Sequence, residues 1–190
     1  ERIENADCME NWYTITDNLA DWSVKFDNLG DQGLGQLLEE QWREANQQFT
    51  RFIEVNYENW LRSKEKPLMS PDIISSYLQK NIQNDEKVVL IIMDCLRADH
   101  LKAMTNQLAQ IFHIDLDYYL SILPTATPYS RNAIFSGYFP NKLQKEYSDI
   151  WLDMWQDENS MNRFEDKFLK DQINRMGFES KSVHYHKLIT

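Results

Sequence analysis

The sequence predicts an α/β protein in two parts, a helical hairpin followed by a parallel-sheet domain. Three observations carry this. Val88 to Met93 is an unbroken apolar run that stops at Asp94, the pattern of a strand buried on both faces at the centre of a parallel sheet. A helical period from about Ala98 to Gln110 then leads into a second apolar run, Ile114 to Leu123, which makes a strand–helix–strand unit with parallel strands. Ahead of both lie two apolar stripes of helical period.

The first stripe uses Cys8, Trp12, Ile15, Leu19, Trp22, Phe26 and Leu29, at alternating steps of four and three residues. Gly30-Asp31-Gln32-Gly33 breaks it. The second runs from Leu34 to about Arg62 through Leu38, Trp42, Ala45, Phe49, Phe52, Ile53 and Trp60. Together they read as an antiparallel hairpin over residues 1–66, with Trp12, Ile15, Leu19, Trp22 and Phe26 packed on Leu38, Trp42, Phe49 and Phe52. Two helices leave a face bare, so a third helix, an upstream helix or a second subunit (a homodimer) is expected to cover it.

The sheet domain is read over residues 67–190. Ser70-Pro71-Asp72 starts a helix, with Ser70 as N-cap and Pro71 in the first turn. Ser130 to Ser136 reads as a short helix stopped by Gly137, and Asn162 to Met176 as a helix stopped by Gly177. Tyr138 to Glu158 is irregular or partly helical. Ser182 to Ile189 alternates around Val183, Tyr185 and Leu188, a third strand.

Composition narrows the function. The chain has 190 residues and a formal net charge of −10, which argues against non-specific nucleic-acid binding. A bound cation would still let such a protein handle phosphates. No apolar run is long enough to span a bilayer, so no membrane role is expected. The two cysteines, Cys8 and Cys95, make no disulfide framework and fit a reducing cytoplasm. The chain opens at Glu1 rather than Met, so an upstream portion is expected.

Two stretches carry chemistry. Asp94 stands where the central strand stops, at the edge where open α/β sheets keep their ligands; the alternative is a cap for the next helix. Thr125 and Thr127 in Pro124-Thr125-Ala126-Thr127-Pro128 stand between a strand end and a helix N-terminus, where phosphate oxygens are favoured. Capping is again the alternative. A threonine hydroxyl is a weak nucleophile that metal coordination activates. Arg131 and Asn132 are placed to contact a phosphate, though Arg131 equally suits a pairing with Asp94 or Asp99. His184 and His186 share one face of the third strand, as metal ligands or as ordinary strand histidines. His100 and His113 are assigned nothing, and Cys95 is read as a small buried residue.

Val-Leu-Ile-Ile-Met-Asp94, then Pro-Thr-Ala-Thr127 and Gly137, resembles the start of the alkaline phosphatase superfamily. The spacing Asp94, Arg97, Asp99 and the Ser130-Arg131 pair are most similar to its PglZ branch, and the helical region before them resembles PglZ-domain response regulators. The resemblance implies that the sheet domain is the first half of an alkaline-phosphatase-like parallel-sheet domain. It also implies a two-component regulator linked to type IX secretion, with signalling proteins as partners. It implies a phosphodiesterase or phosphatase acting on phosphodiester or nucleotide-type substrates, with Thr127 as nucleophile and metal ligand and Asp94 as metal ligand. Zinc or another divalent metal, two ions in the full-length domain, would be the cofactor. No receiver sequence and no late Asp-x-x-x-His pair is seen. The chain is therefore expected to be a central piece of its parent and inactive alone, or a non-catalytic module that dimerises and docks partners.

Overall fold

The computed structural model describes residues 3–155, 161–179 and 181–188. Its elements in order are a 3₁₀ turn (Ile3–Asn5), α1 (Met9–Leu29), α2 (Gln32–Arg62), a 3₁₀ turn (Ser70–Asp72), α3 (Ile73–Tyr77), α4 (Gln79–Gln83), α5 (Ala98–Leu108), α6 (Thr127–Ser136), α7 (Pro140–Glu146), α8 (Ser148–Trp151), a 3₁₀ turn (Asp153–Trp155) and α9 (Glu165–Arg175). They form two compact units, one of residues 1–67 and 93–118, the other of residues 68–92 and 119–190.

The first unit is built on the expected hairpin. Gly30 ends α1 in the left-handed conformation (φ 66°) and its N–H bonds Phe26 O. Asp31 caps α2 through its carboxylate, which accepts from Gly33 N and Leu34 N. Trp12, Ile15, Leu19 and Ala45 are buried together, with Leu38, Trp42, Phe49 and Phe52 packed around them. Trp22 departs from the expected stripe and is 48% exposed. The stripe drifts because an α-helix has 3.6 residues per turn rather than 3.5. Ser23 lies in the buried face instead, donating to Leu19 O and accepting from Trp42 Nε1.

Of the coverings left open by the sequence, the structure supplies a third helix, since α5 packs along α1. Lys102 on α5 bonds Asp17 at 2.8 Å and Asp21 at 2.7 Å, and Tyr118 OH donates to Asp17 at 2.7 Å. Partial burial alone would raise the Asp17 carboxyl, but hydrogen bonds from Lys102 and Tyr118 hold it below its usual value. Desolvation opposes the Lys102 charge, yet its bonds to the two aspartates raise it. A lowered carboxyl stabilises the fold fully above its unfolded pKa and loses that effect as pH falls through the folded value. A raised lysine stabilises below its unfolded pKa and loses that effect as pH rises through the folded value. Urea midpoints are therefore expected to fall at the acid and alkaline ends of the range. Asp17→Asn should flatten the acid limb.

The second unit corrects the predicted α/β class. Among the described residues it holds no strand or sheet, and the chain is all-α apart from one isolated parallel bridge, Met69 to Leu120. The period-2 signal is real but gives only half-buried, unpaired extended chain. Val89 and Ile91 are 82% and 74% exposed, while Leu90 and Ile92 pack against Ile74, Ile134 and Ile173. The run is thus buried on one face, not both. The bridge cannot grow, because the chain turns helical at Ser70 and Pro71 has no N–H to donate. Ser70 Oγ, not a backbone carbonyl, accepts from Ile122 N. Among the described residues the stretch 182–188 likewise joins no ladder; Val183 and Tyr185 face inward as expected but Leu188 is 92% exposed, and Ile189 lies outside the described residues. Residues 138–158 hold α7, α8 and a 3₁₀ turn as far as Trp155, and 156–158 lie outside the description. At the helix start near residue 70, Met69 rather than Ser70 is the N-cap, and Asp72 accepts from its N–H.

Among the described residues this unit has two small hydrophobic clusters. Phe135, Leu143, Tyr147, Met154 and Phe168 form one, and Ile74, Ile134 and Ile173 the other. Helix α6 is shared by both.

Candidate active site

Helix α6 begins at Thr127, three residues before the expected start, so Thr127 is inside its first turn. The chain reaches it through a cis Leu123–Pro124 bond. Ala126 is the N-cap and has no side chain to cap with. The N-cap position itself is therefore held by neither Thr125 nor Thr127. Thr127 is half-buried and Thr125 exposed.

The other end of α6 is anchored by α9. The last four carbonyls of a helix lack intrahelical partners. Gly137 N bonds Ala133 O at 2.9 Å. Gln172, with its amide turned to donate, bonds Ile134 O and Phe135 O at 3.0 and 2.9 Å. Arg175 bonds Ser136 O, and its charge favours a helix C-terminus. Gly137 is needed there. Its φ is 67°, and a Cβ would come within 2.6 Å of the Gln172 amide.

Arg131 and Asn132 sit one turn beyond Thr127. Arg131 Nη2 bonds Glu165 Oε2 at 2.6 Å, rather than either acid expected from the sequence. Glu165 is fully buried, and its Oε2 also accepts from Tyr185 OH at 2.5 Å. Burial and the Glu165 carboxylate both push the Tyr185 phenol up. Asn132 is 1% exposed; its amide donates to Met161 O at 2.9 Å and accepts from Asn162 at 3.3 Å. Ser130, also buried, exchanges a 2.9 Å bond with Ser121. Glu165 and Tyr185 were not singled out from the sequence. An acid in a helix's first turn and a tyrosine in an alternating run are too common to signal a site.

Asp94 belongs to the first unit. It is exposed, and its Oδ1 accepts from Cys95 N at 3.1 Å in a turn that sets Cys95 at φ 59°. Such a conformation is uncommon for a residue with a Cβ. Cys95 is exposed, not buried as expected. The N-cap of α5 is Arg97, so Asp94 does not cap that helix either. Arg97 instead pairs in a fork with Asp99, at 3.0 and 2.5 Å. His184 and His186 are both exposed on one face, with His184 Nε2 2.9 Å from Ser182 Oγ.

A divalent metal would need several ligands from these residues. Among the described residues no group of three or more His, Cys, Asp or Glu side chains could hold one. A zinc site takes four ligands, and Asp94 and Thr127 offer two oxygens. The described residues do not by themselves fit the expected ion.

Comparison with known families decides the affiliation. Residues 74–190 match the BREX system PglZ alkaline phosphatase-like domain. The chain belongs to the PglZ family. Residues 1–61 are similar to the PorX response regulator linker domain, a match that takes in the hairpin up to Leu61, and the PglZ match takes in Asp94, α5, Thr127 and α6. No curated protein matches the chain. Among the described residues no helix is long and apolar enough to cross a membrane.

Proposed function

We propose that this chain is the linker and effector part of a PorX-like, cytoplasmic two-component regulator tied to type IX secretion. Its PglZ domain would cleave phosphodiesters of nucleotide type, with Thr127 as the attacking group. The observation that carries this is the start of α6. Ala126 takes the N-cap position, so the Thr127 hydroxyl lies in the first turn and is not the helix cap. The N–H groups and dipole of that turn favour a phosphate there.

The bonds balance in two displacements. Thr127 Oγ forms a bond to phosphorus, the P–O bond to one alcohol breaks, and the hydroxyl proton ends on that alcohol. Water then cleaves the threonine ester, giving a phosphomonoester and restoring the hydroxyl. The resemblance gives Asp94 and Thr127 to zinc or a similar divalent ion, but the chemistry argued for this chain is that of its own residues.

The test is hydrolysis of a chromogenic phosphodiester by the natural protein that contains these residues, with and without Asp94→Asn and Thr127→Val. Loss in both variants supports the reading, and unchanged turnover in either removes that residue from it. Metal binding gives a second measurement. Calorimetric titration of zinc into the 190-residue chain should show weak binding, because the described residues gather too few ligands. Tight binding of two ions would contradict this.

A second reading rests on its own observation. Arg131 and Asn132 both bond protein groups, as a structural joint would. In that reading the chain docks signalling partners and catalyses nothing.

A further inference from the structure

Helix α5 falls within the PglZ match, yet it packs on α1, which falls within the linker match. Both lie in the same compact unit. The polar centre of that contact is Lys102, whose side chain is only 16% exposed and lies between Asp17 and Asp21. Those aspartates are four residues apart, on one face of α1. Tyr13 is four residues further back on the same face, and its ring stacks on Tyr118 with centroids 5.6 Å apart and planes at 15°. Tyr118 OH closes the network by donating to Asp17.

An exposed lysine–aspartate pair is worth little. This one is a four-group network around a largely covered ammonium, and such networks hold more than isolated pairs. It grips the chain on both sides of the loop at 109–117, through Lys102 before it and Tyr118 after it. Helix α5 begins at Ala98, four residues after Asp94, with Arg97 and Asp99 locked together across its first turn. A shift of α1 therefore carries α5, and the Asp94 turn with it.

We infer that the Tyr13–Asp17–Asp21 face of the linker helix is a docking surface through which the linker sets the position of the Asp94 turn, with Lys102 as the transmitting residue. The importance of Asp94 rests on the function proposed above; the coupling does not, and it is measured without any activity.

The experiment is amide NMR and hydrogen exchange on the 190-residue chain. Lys102→Met keeps the stem and removes the charge, and Asp17→Asn with Asp21→Asn removes the other side. Each is expected to lower exchange protection of the Leu101–Leu108 amides about tenfold while α2 keeps its protection. Each should also move the amide signals of Asp94, Cys95 and Arg97. All three substitutions together should lose no more than either set alone, because they remove one network. Lys102→Glu combined with Asp17→Lys should recover part of the protection. Unchanged α5 exchange in Lys102→Met would overturn the inference. Losses that multiply in the triple variant, equal opening of α2, or Asp94 signals that stay fixed while α5 loosens would do the same.

Discussion

Thr127→Val in the natural protein is expected to lower phosphodiester hydrolysis by at least about a thousandfold, roughly 4 kcal/mol of barrier. The same change should leave the fold nearly intact. Valine keeps the β-branched shape and removes only the hydroxyl, a loss of about 0.5–1.5 kcal/mol if a hydrogen bond goes with it. Ala126, not Thr127, holds the N-cap position of α6. Activity and stability should therefore separate, which a capping role would not allow. Thr127→Ser should keep part of the rate, since an oxygen remains. Thr125→Val should change little, Thr125 being exposed and outside the helix. Initial rates beside urea denaturation curves make the comparison. Full activity in Thr127→Val would leave the docking-module reading.

The second large effect is expected at Glu165, and it is on stability. Its carboxylate is wholly buried and joins α9 to Arg131 on α6 and to Tyr185. Breaking a buried ion pair by removing one partner costs about 3–5 kcal/mol, because the remaining charge loses its compensation. Glu165→Ala should lower the urea midpoint accordingly. Glu165→Gln should cost less, since the amide oxygen still accepts from Arg131 and Tyr185. It should also bring the raised Tyr185 ionisation back toward the ordinary tyrosine range, visible as absorbance in an alkaline titration. Stability unchanged in Glu165→Ala would mean the joint between α6 and α9 rests on Phe168, Gln172 and Arg175 alone.

What the sequence disclosed follows the range of the forces involved. The hairpin was legible because helical periodicity and the glycine-containing break at 30–33 act within a few residues; that Asp31 caps α2 is seen only in the structure. Gly137 was legible as a stop for the same reason, whereas α9 runs Glu165–Arg175 with Met176 as its C-cap, shorter than the expected Asn162–Met176. The sheet was not legible. Val88 to Met93 and Ile114 to Leu123 have strand-like composition, but a ladder needs a hydrogen-bonding neighbour, and that is a non-local fact. The bridge at Met69 and Leu120 shows one such contact forming and ending at Pro71. Trp22 was misread because a heptad was imposed on an uncoiled helix. In the sequence, Asp94 and Thr127 stand out because one ends an apolar run and the other begins a helical one. The acid that meets Arg131 does not, because Glu165 lies 34 residues on and nothing local marks it.

The covalent role of Thr127 is tested most directly by the stereochemistry at phosphorus. A substrate diester made chiral by sulfur substitution would be turned over in isotopically labelled water and the configuration of the product determined. Two successive displacements, the first by Thr127, predict net retention. Net inversion would show a single attack by water, and would contradict a threonine nucleophile whatever the variants had done to the rate.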